Sequence, residues 1–310
     1  MDAQIEHSIA ERPRAGTTEA ASLFQSLRVP GVYARTSLCG LLMDRLGALL
    51  TKHRPQGAEV LRFPPVMSRR DLQRSGYLNS FPNLLGCVCA LHGSEGEIRQ
   101  TLQRSQSGDD WTGALAATDL VLSPAACYPV YPMAAERGTL PPRGLVFDVE
   151  CDCFRCEPSS DPDRLQSFRM REFVCLGAGP DVVAFRKLWL ERAQSLASDL
   201  GLPARIAPAS DPFFGREGQM RGVNQIQQSL KFELLVPAWS SEKPTACMSF
   251  NYHQDHFGSI WDISDDDGLV AHTACVAFGM DRLVLALVFA HGADLQRWPA
   301  TARQALDLGE

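Results

Sequence analysis

The sequence predicts an α+β domain in which helices pack on an antiparallel sheet, and three observations carry that expectation. The strongest strand-like runs follow one another without a helix between them: "GLVFDVECDCFRCE" and "SFRMREFVCLG" flank the turn-rich "PSSDPDR", and "LKFELLV", "TACMSFNYH" and "FGSIWDI" come in succession later. Strands joined that way pair antiparallel, because parallel neighbours need a long crossover. Helical periodicity gathers in separate stretches outside these runs. No fixed-period repeat, low-complexity tract or linker divides the chain, and 310 residues with 45% hydrophobic content fill one large core. The expected organisation is a polar leader over residues 1–30 and one domain over residues 31–310.

Along the chain, "SLCGLLMDRLGALLTKH" from residue 37 to 53 sets Leu38, Leu41, Leu42, Leu46, Leu49 and Leu50 on one helical face. "AEVLRF" follows as a strand that Pro64 and Pro65 end. Ser68 with Asp71, and Ser94 with Glu97, have the spacing of capping boxes and open two helices. A long helix begins at Pro180, turns Val183, Leu188, Trp189 and Leu196 inward, and stops before Gly201. Residues 218 to 230 read as a polar helix. A last pair of helices is expected from residue 281 and around 300 to 308.

Composition narrows the function. The formal net charge is −6, with 30 basic and 36 acidic residues, which disfavours a broad nucleic-acid-binding surface. The opening "MDAQIEHSIAERPR" scatters charges and holds no apolar stretch, so no signal peptide is read there. The longest uncharged apolar run, "LVLALVFA" at 283 to 290, is too short to cross a bilayer. A cytoplasmic protein with no membrane partner is expected, and its ten cysteines then serve as thiols or metal ligands before disulfides.

Four stretches hold residues with chemical potential. In "FRCE", Arg155 and Glu157 sit two apart on a strand and project from one face. Such a pair is either an ordinary exposed ion pair or a phosphate-gripping guanidinium steadied by a carboxylate. The next strand alternates Phe168, Met170 and Glu172 against Arg169, Arg171 and Phe173. Phe168 and Glu172 then lie roughly 13 Å apart along one face, which suits two adjoining subsites. Core packing with an edge carboxylate fits the same pattern. In "HTACVAFGMDR", Cys275 and Arg282 bracket a strand-to-helix junction. "CDCFRC" lacks a fourth ligand at finger spacing and "HQDH", His253 to His256, lacks the glutamate of a metalloprotease helix, so both are read as structural.

Those same residues resemble a known family. "FRCEPSSDPDRLQSFRMREF" is similar to motif 2 of class II aminoacyl-tRNA synthetases, closest to the seryl enzymes, "CVAFGMDR" to motif 3, and the helix at 37 to 53 with "EVLRFPPVMS" to the dimer-forming motif 1. The resemblance runs from about residue 30 onward and implies the class II catalytic core, an antiparallel sheet flanked by helices. It further implies a homodimer that binds ATP with Mg²⁺ and activates a carboxylate as an adenylate. By position, Arg155 would contact the α-phosphate, Arg282 the γ-phosphate, and Phe168 the adenine, with Glu157 and Glu233 as the acidic residues near ribose and magnesium. The long tRNA-gripping arm of a seryl enzyme has no counterpart in the first thirty residues, so tRNA is not expected as a partner.

Within that family "RMREFVCLG", "LSPAACYPVYP" and "HTACVAFGMDR" resemble the truncated seryl-synthetase homologues that act as amino acid:[carrier protein] ligases. The resemblance implies one Zn²⁺ per subunit, held by Cys127, Glu172 and Cys275 with a position open for a substrate amine. It implies a small amino acid, glycine before alanine, in a pocket with Ser249 and Asn251 as wall candidates, and transfer to a phosphopantetheine thiol of a carrier protein. Carrier proteins are acidic, so Arg216, Arg221 and Lys231 in "GREGQMRGVNQIQQSLK" are docking candidates, with a merely solvated helix face as the alternative. Two other functions compete: a reduced seryl-like aminoacyl-tRNA synthetase, and a non-catalytic paralogue acting as a binding module.

Overall fold

In the computed structural model, which describes residues 22–309, the chain enters through a hairpin of β1 (Phe24–Val29) and β2 (Val32–Arg35) and continues into helix α1 (Ser37–Lys52). Then come β3 (Glu59–Arg62), β4 (Val66–Ser68), α2 (Arg69–Arg74), α3 (Tyr77–Ser80), β5 (Cys87–Leu91), α4 (Glu95–Gln106), β6 (Leu115–Leu122) and α5 (Val130–Ala135). The second half holds β7 (Leu145–Phe154), β8 (Ser167–Gly177), α6 (Gly179–Asp199), β9 (Arg205–Pro208), α7 (Gly215–Gln227), β10 (Lys231–Val236) and β11 (Thr245–Gln254). It ends with α8 (His256–Trp261), β12 (His272–Gly279), α9 (Met280–His291) and α10 (Ala300–Ala305).

Seven strands form the main sheet in the order β3-β7-β8-β12-β11-β10-β9. Only the β3–β7 pair is parallel, and the rest are antiparallel as the helix-free succession of strands requires. A smaller sheet, β4-β6-β5, sits beside it. Period-two alternation divides the main sheet into two environments. On one face Phe173, Val276, Phe278, Phe250 and Leu234 join Leu42, Leu46, Trp189 and the α9 leucines in the largest core. On the other, Phe147, Val149 and Val174 pack under α5 and α8, and the uncovered part of that face is a cleft.

Most of the expected elements form, with caps as the sequence spells them: Ser68 accepts from the Asp71 N–H, and Ser94 with Glu97 closes a full capping box on α4. Several expectations need correction. Leu41 in α1 and Val183 and Leu188 in α6 face outward, while Cys39, Met43 and Val182 take the inward places. "FGSIWDI" is the helix α8 and its C-terminal turn, not a strand. A Cβ at Gly258 would stand 2.0 Å from the Ala271 carbonyl oxygen, so the close crossing of this helix over the sheet admits only glycine there. Of the expected leader over residues 1–30, the first 21 lie outside the described residues, and the remainder is occupied largely by β1.

A buried ionic brace fixes α1 to the sheet. Asp148 accepts from Arg171 Nε at 2.8 Å, Arg171 Nη2 at 2.6 Å and Arg54 Nε at 2.6 Å, and Arg171 also donates to Gly47 O and Thr51 Oγ1. Burial opposes the charge on Asp148, but the Arg171 hydrogen bonds and the surrounding guanidiniums override it and hold its carboxyl below the usual range. The brace therefore contributes fully above the unfolded-state value of about 3.9 and is lost as pH falls through the lower native value. Asp148→Ala leaves the Arg171 guanidinium buried without its carboxylate and should cost about 3 kcal/mol, read from urea unfolding at pH 7.

Candidate active site

Four adjacent strands build the cleft floor, because residues two apart on each strand share its face. Glu172 of β8 sits opposite Ala277 of β12, Ala277 opposite Ser249 of β11, and Ser249 opposite Glu233 of β10. The neighbouring row runs Cys275, Asn251 and Lys231. With Phe168 and Met170 further along β8 and Arg155 and Glu157 just past β7, they line one cleft of about 920 Å³.

At one end the segment between β6 and α5 carries Cys127 over the sheet. Glu172 Oε1 accepts from the backbone N–H of Ala126 at 2.7 Å and of Cys127 at 3.1 Å, so the carboxylate itself anchors that segment. The donor atoms of Cys127, Glu172 and Cys275 all lie within 4.8 Å of one another, and all three residues are buried. Burial pushes the Glu172 carboxyl above its usual range, and the Cys275 hydrogen bond together with burial pushes the Cys127 thiol well up. Three acids packed this closely ionise together only when a cation compensates them. Two sulfurs and one oxygen are a donor set that suits a tetrahedral, borderline-soft dication.

The other end is arginine-rich. Arg155 Nε donates to Pro124 O at 3.1 Å, and its guanidinium lies 5.3 Å from the centre of the Phe168 ring. Arg282 donates from Nε to Asp163 O at 2.8 Å and from Nη1 to Ala246 O at 3.0 Å, while the Asp163 carboxylate accepts from the Thr245 hydroxyl. Both guanidiniums are thus aimed by carbonyl oxygens, which orient a charge without neutralising it. Burial lowers the pKa of Arg282. A half-buried cation oriented by carbonyls is an anion site.

Between the two ends Lys231 is buried, with its Nζ 2.6 Å from Asp211 Oδ1 and 3.0 Å from Glu233 Oε1. Asp211 in turn accepts from Gln225 of α7 at 2.8 Å. Lys231 is therefore no docking residue, which corrects the reading of its stretch as a basic surface: period two turns it into the cleft, where two carboxylates hold it. Arg216 and Arg221 stay exposed on α7, and Arg221 donates to Ser80 Oγ at 3.4 Å. The helix is also less polar than expected, since Phe214, Met220, Val223 and Ile226 lie outward and exposed.

Comparison with known proteins follows the same lines. No family model matches the chain. Amino acid–[acyl-carrier-protein] ligase 1 of Bradyrhizobium diazoefficiens is 62% identical over 289 residues, 93% of this chain and 89% of the relative. Ligase 2 of the same organism is 59% identical over 291 residues, 94% and 87% of the two chains. This chain belongs to the amino acid–[acyl-carrier-protein] ligase family. The fold of this family member is similar to that of M. kandleri SerRS solved in complex with A. aeolicus tRNASec, with a TM-score of 0.79 at 20% identity. That likeness covers 98% of this chain but only 63% of the synthetase. The fold is that of the class II aminoacyl-tRNA synthetase catalytic core.

Two residues at this cleft carry contacts that the sequence does not announce. His253 stands with its Nε2 3.7 Å from Cys275 Sγ. Its spacing from Ser249 and Asn251, four and two residues along the same strand, is the available signal. Asp163 lies in the loop between β7 and β8 and works through its main-chain oxygen, which no residue type announces. Among the described residues no helix is long and apolar enough to cross a membrane.

Proposed function

We propose that the protein joins a small amino acid to an acyl-carrier protein in two steps at this cleft. In the first, the amino-acid carboxylate oxygen bonds to the α-phosphorus of ATP and the bond to the bridging oxygen breaks, giving aminoacyl-adenylate and pyrophosphate. In the second, the thiol of a carrier's phosphopantetheine arm gives up its proton to solvent as its sulfur bonds to the acyl carbon, and the bond from that carbon to the phosphate oxygen breaks to release AMP. One arrangement supports this: two guanidiniums held by carbonyls and a cluster of two thiols and a carboxyl face one cleft, so a phosphate and an amine fit at its two ends.

Charge gathers on the phosphate oxygens in the first step, and Arg155 and Arg282 are placed to oppose it. Phe168 offers its ring to the adenine, and Glu157 and Glu233 are the carboxylates for the ribose and for Mg²⁺ carried with ATP. Cys127, Glu172 and Cys275 would hold one Zn²⁺, whose contribution when bound is a Lewis-acid site for a neutral amine. Two thiolates and a carboxylate leave that site one net negative charge, which disfavours stray anions. Met170, Ser249, Asn251 and His253 line the same cleft, and side chains of this size beside the amine site support glycine, then alanine, as substrate. Leu27, Val29, Leu41 and Val60 expose apolar surface on β1, α1 and β3, which supports a homodimer formed there.

Incubation with ATP, mixed amino acids and a phosphopantetheine-bearing carrier, followed by mass spectrometry of the carrier, tests the whole reading. Glycine-dependent pyrophosphate exchange with a carrier mass increase supports it; exchange together with charging of tRNA and no loaded carrier refutes it. Carrier docking on α7 is proposed with Arg216 and Arg221 for acidic groups and Met220 and Val223 for an apolar contact. Gly218 lets the chain turn tightly into this helix, since a Cβ there would stand 2.7 Å from the Phe213 backbone. Met220→Asp with Val223→Asp should lower carrier loading about tenfold or more while pyrophosphate exchange stays unchanged.

A further inference from the structure

Resting on the metal-site reading above, we infer that His253 is a positioning residue for the Cys275 thiolate: its Nε2–H donates to Sγ beside the Asn251 amide, and Thr273 holds the ring in that orientation. A metal-bound thiolate has lone pairs and no hydrogen, so its neighbours must be donors. Asn251 donates from Nδ2 to Cys275 Sγ at 3.4 Å, and His253 Nε2 stands 3.7 Å from the same sulfur. On the far side of the ring, Nδ1 lies 3.0 Å from the hydroxyl of Thr273, which is fully buried. The inferred tautomer is the one in which that hydroxyl donates to Nδ1, so that the ring hydrogen sits on Nε2 and faces the sulfur.

The backbone is shaped for this aim. Between Tyr252 and Gln254 the register with β12 shifts, Tyr252 lying opposite Ala274 and Gln254 opposite Thr273, so His253 is the extra residue of a β-bulge. Gln254 beside it takes a left-handed conformation, with φ at 54°, which costs a non-glycine residue energy. Phe257 and Tyr131 then hold the imidazole edge-on, at centroid distances of 5.0 and 6.3 Å. A bulge, a strained neighbour and an aromatic slot all converge on one imidazole, and its outward nitrogen meets a proposed ligand. Partners of this kind fix the geometry of a ligand and the electron density on its donor atom.

The test reads the metal itself. His253→Ala should weaken zinc binding about 10- to 100-fold, measured by competition with a chromophoric chelator. In the cobalt-substituted protein the thiolate-to-cobalt charge-transfer band should move to lower energy, because the sulfur loses a donor. His253→Gln, whose amide nitrogen can replace Nε2, should restore both readouts, and His253→Asn, which reaches only the Nδ1 position, should not. Unchanged affinity with an unshifted band, rescue by Asn instead of Gln, or loss of the ligand-field bands expected of a coordinating nitrogen would each overturn the inference. Should the alanine variant fail to fold, Thr273→Val must shift the band in the same direction, and an unshifted band there overturns it equally. A wild-type protein that binds no zinc removes the metal reading and this inference together.

Discussion

Arg282→Ala should reduce glycine-dependent pyrophosphate exchange by about 10³-fold, on the order of 4 kcal/mol of transition-state stabilisation. The size follows from how the side chain is held. Two hydrogen bonds, to Asp163 O and Ala246 O, fix the guanidinium plane before any nucleotide arrives, so no reorganisation is needed as charge develops. Burial lowers its pKa, so holding the charge there costs the empty protein free energy that an anionic ligand offsets. The melting temperature of the alanine variant without nucleotide should therefore be unchanged or higher, while the rise that MgATP gives the wild type disappears. Arg282→Lys should rescue little, since an ammonium cannot make both carbonyl contacts and also face a phosphate. A variant that retains wild-type exchange would remove Arg282 from the reaction.

How far the sequence foretold this site depends on whether a residue's place follows from local period or from topology. The alternation Phe168, Met170, Glu172 was legible and forms one wall of the cleft, because a strand's faces are set by its own pleat. Ser249 and Asn251 share the floor for the same reason. Lys231 obeyed the identical rule, but it was read as part of a basic helical surface, and only the start of β10 at that residue turns it inward. Leu41, Val183 and Leu188 fit an apolar stripe at helical spacing, yet which edge of a wide stripe meets the core depends on the crossing of helix over sheet. The convergence of Cys127 with Glu172 and Cys275 is set entirely by topology: a non-strand segment 45 residues upstream of Glu172 is brought over the sheet and pinned by that same carboxylate. No periodicity encodes such a meeting, and only the likeness of whole motifs to the synthetase family pointed to it.

Glu172→Gln should remove the metal with the least disturbance elsewhere, and with it the activation of the amino acid. The glutamine amide oxygen can still accept from the Ala126 and Cys127 N–H groups, so the segment carrying Cys127 stays anchored. What disappears is the negative charge and a donor oxygen, and zinc affinity should fall by more than the ~10–100-fold expected of an outer-shell residue. Cys275→Ala and Cys127→Ala should reach the same metal-free state by losing a sulfur each. Dialysis of the wild type against a chelator should abolish glycine-dependent exchange, and added Zn²⁺ should restore it in the wild type but not in the three variants. ATP binding, read by the melting shift with MgATP, should survive in all of them because the guanidinium end of the cleft is untouched. That separation decides between an amine-capturing metal centre and a structural one: a structural ion, once lost, would take the ATP response and the fold with it. A Glu172→Gln protein that keeps both its zinc and its exchange activity would show that these three side chains meet for another purpose.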